Sequence, residues 1–388
     1  MVVLQSDPDA PQLFVSASDM TAHPHDIHVA TVNVRFDGMR HDPIPIPKHG
    51  AVNPKKPGFW GEKSDLARKN PYREQPWAVR RSRLVDALLS TGELDIIGFQ
   101  EVYVSQLKDL AVLLGARFAH VGVGRDDGKE AGEYSPIFYD KQRFERVKWK
   151  TMWLSSWPEK PGSVGWDASQ TRIATFLSLK DKFGGHLVHA VCTHYDDQGL
   201  VARAKSSLLI RTAIREWVEA VELETNVVGK KPKAPVLLFG DFNSPPDEDG
   251  YKNITSFGPL KAPSFTFLDA YTHLAARRPG YDAQSRPYGP HKTWTGFTAP
   301  GLTDTQRIDL VMAAADEDAK KGTDVARGGW VFTQYACLDN WVEEGDADGW
   351  QGRWSDHRAV KATLALRSEK CSEGYDDEPA PVPHVELR

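Results

Sequence analysis

Val236-Leu237-Leu238-Phe239-Gly240-Asp241-Phe242-Asn243 is the stretch that decides how this chain is read. A run of apolar strand residues ends, and an acid and an amide follow at once. In layered α/β proteins the ends of strands, and the loops beyond them, form the crevice where ligands sit. The same event recurs along the chain. Val29-Ala30-Thr31-Val32 leads to Asn33, Ile96-Ile97-Gly98-Phe99-Gln100 leads to Glu101, and Val188-His189-Ala190-Val191-Cys192-Thr193 leads to His194. Arg307-Ile308-Asp309 opens a further apolar run, and Ser355-Asp356-His357 precedes the last one.

Working outward, β-rich runs are predicted at 27–34, 95–99, 117–123, 135–139, 172–179, 186–193, 236–239, 308–312 and 359–366, each bounded by Gly, Pro, Asp or Asn. Helical patterns lie between some of them, at Arg81 to Ser90 and at Val201 to Val221, where Ala204, Leu208, Ile210 or Arg211, and Ile214 approximate one stripe. This mixture implies an α/β protein of sheet and helix layers. One domain is expected over 27–367, with 1–26 as an N-terminal extension and 368–388, rich in Pro, Glu and Asp, as a disordered tail. Asp37 to Gln75 is too long for an ordinary connection and reads as an insertion and functional lip. Leu338 to Ser355 is a second irregular segment.

The bulk numbers exclude some classes. With 40% apolar and 26% charged residues the chain is an ordinary globular protein. No apolar run reaches the roughly 18 to 20 residues that cross a bilayer, and residues 1–20 lack the basic start and apolar stretch of a signal peptide. An intracellular protein is therefore the default, with a trimmed secreted form as the alternative, in which the sequon Asn253-Ile254-Thr255 would matter. Cys192, Cys337 and Cys371 form neither a metal cluster by spacing nor an even disulfide set. A net charge of −5 and a pI near 6.2 provide no global attraction for polyanions. From Gly38 to Arg83, however, eleven Lys or Arg stand against four acids, a local patch suited to an anionic substrate or to solvent.

A single Asp or Asn after a strand is usually a turn residue, and a lone His is usually structural. Six such sites, all carrying oxygen or imidazole groups, are harder to assign to turns. Carboxylate and amide oxygens suit hard cations such as Mg²⁺ or Mn²⁺. Imidazoles beside carboxylates suit proton transfer and the stabilisation of phosphate charge.

The order and wording of these motifs resemble the endonuclease/exonuclease/phosphatase superfamily. That group includes DNase I-like nucleases, exonuclease III-like repair nucleases, neutral sphingomyelinases and inositol polyphosphate 5-phosphatases. The matching pieces are Thr31-Val32-Asn33-Val34-Arg35, Gly98-Phe99-Gln100-Glu101-Val102, Thr193-His194-Tyr195, Gly240-Asp241-Phe242-Asn243, Arg307-Ile308-Asp309 and Ser355-Asp356-His357.

The resemblance implies a four-layer α/β sandwich of two packed mixed sheets flanked by helices. It implies a Mg²⁺ or Mn²⁺ ion on Glu101, Asn33 and Asp356, and His357 paired with Asp309 to act on the attacking water or the scissile phosphate. Asp241 would orient or deprotonate that water, Asn243 would hold it or a phosphate oxygen, and His194 would stabilise the pentavalent phosphorus or assist the leaving group. Glu133 matches an acid that pairs with the first histidine, and Arg172 matches a phosphate-contacting arginine. The expected function is hydrolysis of a phosphodiester or phosphomonoester in a small or lipid-linked substrate, by a monomer. The alternatives are a nuclease for DNA or RNA and an inactive binding protein of the same fold. An acidic chain with one basic stretch tilts toward the compact substrate.

Overall fold

The computed structural model describes residues 26–37, 74–229, 232–257, 263–275, 285–298, 306–316, 318–343 and 351–366. In chain order the elements are β1 (Ile27–Asn33), α1 (Trp77–Leu89), β2 (Ile96–Gln100), α2 (Val104–Leu114), β3 (Phe118–Val121), β4 (Ile137–Asp140) and β5 (Phe144–Trp153). Then come β6 (Ile173–Asp181), β7 (Leu187–His194), α3 (Leu200–Glu224), β8 (Val236–Asp241), α4 (Asp249–Thr255), β9 (Phe267–Asp269) and β10 (Asp309–Ala314). The chain closes with β11 (Val325–Ala326), β12 (Trp330–Leu338), β13 (Trp341–Val342), β14 (Gly352–Arg353) and β15 (Ala359–Leu366). One sheet has the order β11-β12-β15-β1-β2-β4-β3 and the other β5-β6-β7-β8-β10-β9, with β13-β14 as a separate pair.

Alternation along each strand decides which layer a side chain meets. Ile27, Val29, Ile96 and Val360 of the first sheet pack against Leu177, Val188, Leu237, Phe239 and Val311 of the second. On the outer face of the first sheet Ala30, Val32, Ile97 and Phe99 meet Leu84, Leu88, Leu107 and Leu110 from α1 and α2. Phe176, Val191, Leu238 and Met312 meet Ile210, Ile214 and Trp217 of α3 on the outer face of the second. These are the four layers that the resemblance implies. The sheets approach closely at Gly98, where a Cβ would overlap the Phe239 ring and lie 2.9 Å from Cys192 Sγ.

Several elements differ from the sequence reading. β5 was not expected because it is an edge strand whose exposed Glu145 and Arg146 break any apolar run. β12 and α2 were also missing, although Val104, Leu107, Leu110 and Leu114 carry the helical spacing. α1 begins earlier than expected, after Pro76, and buries Trp77 and Arg80. In α3 the buried stripe runs through Ala202, Ser206, Ile210, Ile214, Trp217 and Val221, while Leu208 is exposed and Ala204 only half-buried. Cys192 and Cys337 are buried thiols. The sequon lies in α4, where Asn253 Nδ2 donates to Ala204 O at 3.1 Å. Most of the lip, 38–73, lies outside the described residues, as do 1–25, Cys371 and the tail.

The same alternation positions the site. Asn33 shares a face with Ile27 and Val29, His194 with Val188 and Ala190, Asp241 with Leu237 and Phe239, and Asp309 with Val311 and Ala313. Register then aligns them, because His194 stands opposite Asp241 in the parallel β7–β8 pair and Asp309 opposite Asp241 in the antiparallel β8–β10 pair.

Candidate active site

Glu101 breaks the alternation. As the residue after β2 it would point to the helix side, but its φ of 60° turns the chain into the left-handed region. Its carboxylate then accepts from Asn33 Nδ2 at 2.8 Å and from Phe36 N at 3.0 Å. Asn243 and Arg35 also have positive φ, 45° and 59°. Such conformations cost of order 1–3 kcal/mol each and concentrate at functional sites. Local hydrogen bonds support both residues: Asn243 N donates to Asp241 Oδ1 at 2.9 Å, and Arg35 N to Asn33 Oδ1 at 2.9 Å.

Asp241 sits at the centre. Its Oδ2 accepts from Asn33 Nδ2 at 3.0 Å and lies 3.5 Å from His194 Nε2 and 3.7 Å from His357 Nε2. The other ring nitrogen of His357, Nδ1, is 2.9 Å from Asp309 Oδ2. Burial works against a charge on His357, but Asp309 and Asp241 outweigh it and raise the pKa well above the usual histidine value. His194 behaves oppositely, because burial and then the positive charge of Arg172 hold it well below that value. Its ring is contacted by Arg172 Nη1 at 3.1 Å and 3.2 Å, and by Asn243 Nδ2 at 3.2 Å. Burial, followed by repulsion from Asp309, pushes Asp241 up to about 7. Two buried histidines thus flank one carboxylate with their pKa values pushed in opposite directions, which is the separation of roles that acid–base chemistry uses.

Glu133 does not pair with His194. Its carboxylate accepts from Arg125 Nη1 at 2.7 Å, because the 124–133 turn brings Arg125 inward, and no Glu133–His194 bond occurs among the described residues. Arg172 is held by Asp196 at 3.3 Å and Asp197 at 2.7 Å. Asp196 and Asp197 were missed in the sequence, although they follow His194-Tyr195 directly and obey the same strand-end rule. Arg125 left no such signal.

A cavity of about 390 Å³ gathers Glu101, Glu133, Arg172, His194, Asp241, Asn243, Asp356 and His357 in its wall. Asn33 and Asp309 join through their hydrogen bonds to these residues. All ten residues expected from the sequence therefore meet in one place.

The donor set suits a hard divalent ion. Glu101, Asn33, Asp356 and Asp241 offer oxygens, and Asp309 Oδ1 is buried with no hydrogen-bond partner among the described residues. Burial raises the pKa of Asp356, and the nearby Glu101 adds to it, so a dication would offset crowded negative charge. Asp241, Asp309 and His357 also bring ligand atoms within 4.8 Å of one another. Cys192, whose thiol burial pushes up to about 12, is not among the residues of the cavity wall.

Two mixed sheets between helices, with an acid- and imidazole-lined cavity at the strand ends, define the DNase I-like class of phosphoester hydrolases. The chain belongs to the endonuclease/exonuclease/phosphatase family, whose profile matches residues 30–357 and whose members are metal-dependent phosphoesterases. It is accordingly a hydrolase acting on phosphoric ester bonds. Among solved structures it is similar to an endonuclease/exonuclease/phosphatase from Bacteroides vulgatus, with 29% identity and a TM-score of 0.60 over 88% of this chain and 100% of that one. It is also similar to the mannosyl-6-phosphatase of Bacteroides thetaiotaomicron, with 25% identity and a TM-score of 0.63 over 88% and 100%. A search of curated proteins gives no match. Among the described residues no helix is long and apolar enough to cross a membrane.

Proposed function

We propose that the protein hydrolyses a phosphomonoester or phosphodiester of a small or lipid-linked substrate by in-line attack of water. The observation that carries this reading is the geometry of Asp241, whose Oδ2 lies 3.5 Å from His194 Nε2 and 3.7 Å from His357 Nε2. Burial and Arg172 pull the first imidazole's pKa down, and Asp309 and Asp241 raise the second's. Asp241 orients the water and takes its proton at Oδ2. His357, kept charged by Asp309, lies against the phosphoryl oxygens, where negative charge accumulates. Arg172, Asn243 and His194 donate to the remaining oxygens and the leaving group, and Arg172 is already oriented by Asp196 and Asp197. Glu101, Asn33 and Asp356 would hold Mg²⁺ or Mn²⁺, which when bound supplies Lewis acidity to the phosphoryl group. We assign Asp241, Asp309 and His357 to proton handling instead, because a cationic imidazolium already lies between the two acids. Glu133 is assigned a positioning role, because its carboxylate holds Arg125, which in turn donates to Gln170 in the cavity wall.

The intact set argues against an inactive binding protein. That a relative of 25% identity is a mannosyl-6-phosphatase supports placing a small phosphomonoester ahead of DNA or RNA. A hydrolysis screen with Mg²⁺ or Mn²⁺ against sugar phosphates, inositol phosphates, nucleotides, phospholipids, plasmid DNA and RNA tests the reading. Metal-dependent turnover of the compact esters is expected. Cleavage confined to DNA or RNA would overturn the substrate assignment.

A further inference from the structure

We infer that the mouth of the cavity recognises a hydroxyl-rich leaving group, the chemistry of a sugar or polyol monophosphate, through Gln170, Gln198, Trp294 and Gln306. The inference rests on the phosphoester reading and specifies its substrate. Beyond the groups already assigned, the wall carries these four residues with Asp197, Arg35, Phe36 and Ile308.

Their hydrogen-bonding capacity is partly committed, in a way that fixes what remains. Gln170 Oε1 accepts from Arg125 Nη2, which leaves the amide NH₂ of Gln170 to donate. Gln198 Nε2 donates to Asp197 Oδ2 at 2.8 Å, which leaves its Oε1 to accept. Donor and acceptor are therefore oriented in advance on the Arg172 side of the cavity. Elsewhere in the wall, Trp294 Nε1 and the Gln306 side chain make no hydrogen bond among the described residues. Their backbones are joined through Trp294 N to Gln306 O at 3.1 Å, and the backbone of Trp294 also bridges to that of His357, which places Trp294 on the segment next to the catalytic histidine.

Neutral amides with unused donors and acceptors match alcohol groups, and an indole offers a flat apolar face with an N–H at its edge, suited to the C–H face of a pyranose. The charge count points the same way. Among the described residues, apart from the two histidines, Arg35 and Arg172 are the basic residues in the wall, and both already engage carboxylates. That is enough for one phosphate, whereas a polynucleotide needs a row of cations along its backbone. The volume of about 390 Å³ also falls at the lower end of small-molecule sites, which run from about 300 to 1,000 Å³.

The test compares kcat/KM of the metal-loaded full chain for hexose 6-phosphates, glycerol phosphate, p-nitrophenyl phosphate and bis-p-nitrophenyl phosphate. Wild type should prefer at least one hydroxylated substrate over p-nitrophenyl phosphate. Trp294→Ala, Gln170→Ala and Gln306→Ala should each lower that preference ratio by about tenfold, the size of one lost hydrogen bond or stacking contact. The ratio is the readout because a variant that merely loses active protein scales both substrates alike. Hydrolysis of p-nitrophenyl phosphate as efficient as that of every sugar and polyol phosphate overturns the inference while the phosphoester reading stands, and so does a ratio unmoved in all three variants. No turnover of any ester removes the reading and the inference together.

Discussion

Asn33 Nδ2 lies 3.0 Å from Asp241 Oδ2 and joins the ends of β1 and β8, which belong to different sheets and stand 208 residues apart in the chain. The same amide lies 2.8 Å from Glu101 Oε1, so one NH₂ group orients both acids. Asn33→Ala should therefore disturb ion binding and catalysis together, with kcat/KM reduced about 10²-fold or more, and Glu101→Gln should abolish most turnover. Excess chelator should have the same effect as Glu101→Gln. Metal titration followed by thermal shift, run beside the kinetics, checks this, and full activity in chelator would sink it.

The His357–Asp309 pair should act as a unit. His357→Ala and Asp309→Asn are each expected to lower kcat about 10²-fold, and the double variant should lose little beyond the single one. Rate losses that multiply across the double variant would show two independent contributions. His194→Ala should cause a loss of similar size, and a variant with parental turnover would return His194 to a structural role.

Arg80 is fully buried and donates to four main-chain carbonyls: Val34 O at 2.6 Å, Gln75 O at 2.8 Å, Arg35 O at 2.9 Å and Trp354 O at 3.0 Å. It ties the end of β1 to the segment that carries Asp356 and His357. Arg80→Met strips several buried carbonyls of their donors and should destabilise the fold by about 3 kcal/mol or more. Urea unfolding decides the point, and a change within about 0.5 kcal/mol, the size of an ordinary surface substitution, contradicts it.

Glu222 gives a pH-dependent stability test away from the site. Burial would raise its carboxyl, but His189 and the Arg327 guanidinium, hydrogen-bonded at 2.9 and 3.0 Å, bring it down to about 2. Because the folded value is depressed below the unfolded one of about 4.3, the stabilisation is present above about pH 4.3 and is lost as the pH falls toward 2. Glu222→Gln should be about 2 kcal/mol less stable than the parent at neutral pH, with the gap closing between about pH 4 and pH 2. Urea midpoints across that range measure it. A gap that stays constant would assign the effect to packing rather than charge.

Much of the site was legible because it obeys a local rule. Asn33, Glu101, His194, Asp241 and Asp309 stand at the ends of apolar runs, and alternation places four of them on inner faces. The rule failed where the chain departs from simple alternation. Glu101 reaches Asn33 only through its left-handed backbone, and β5 hides among charged residues because an edge strand has one face in water. Arg80 reads as one more basic residue in a basic stretch, yet it is buried.

Strand-end chemistry pointed by itself to an α/β protein with oxygen and imidazole groups gathered at its strand ends, and the order of the motifs carried the resemblance to phosphoester hydrolases. The tertiary structure alone decided the pairings: Glu133 with Arg125 rather than His194, Arg172 with Asp196 and Asp197, and Asn33 with Asp241. The physical reason is that a side chain's identity fixes what bonds it can make. Which partner it meets, and so whether a buried histidine has its pKa held down, as at His194, or raised, as at His357, depends on how two sheets formed from distant segments pack face to face.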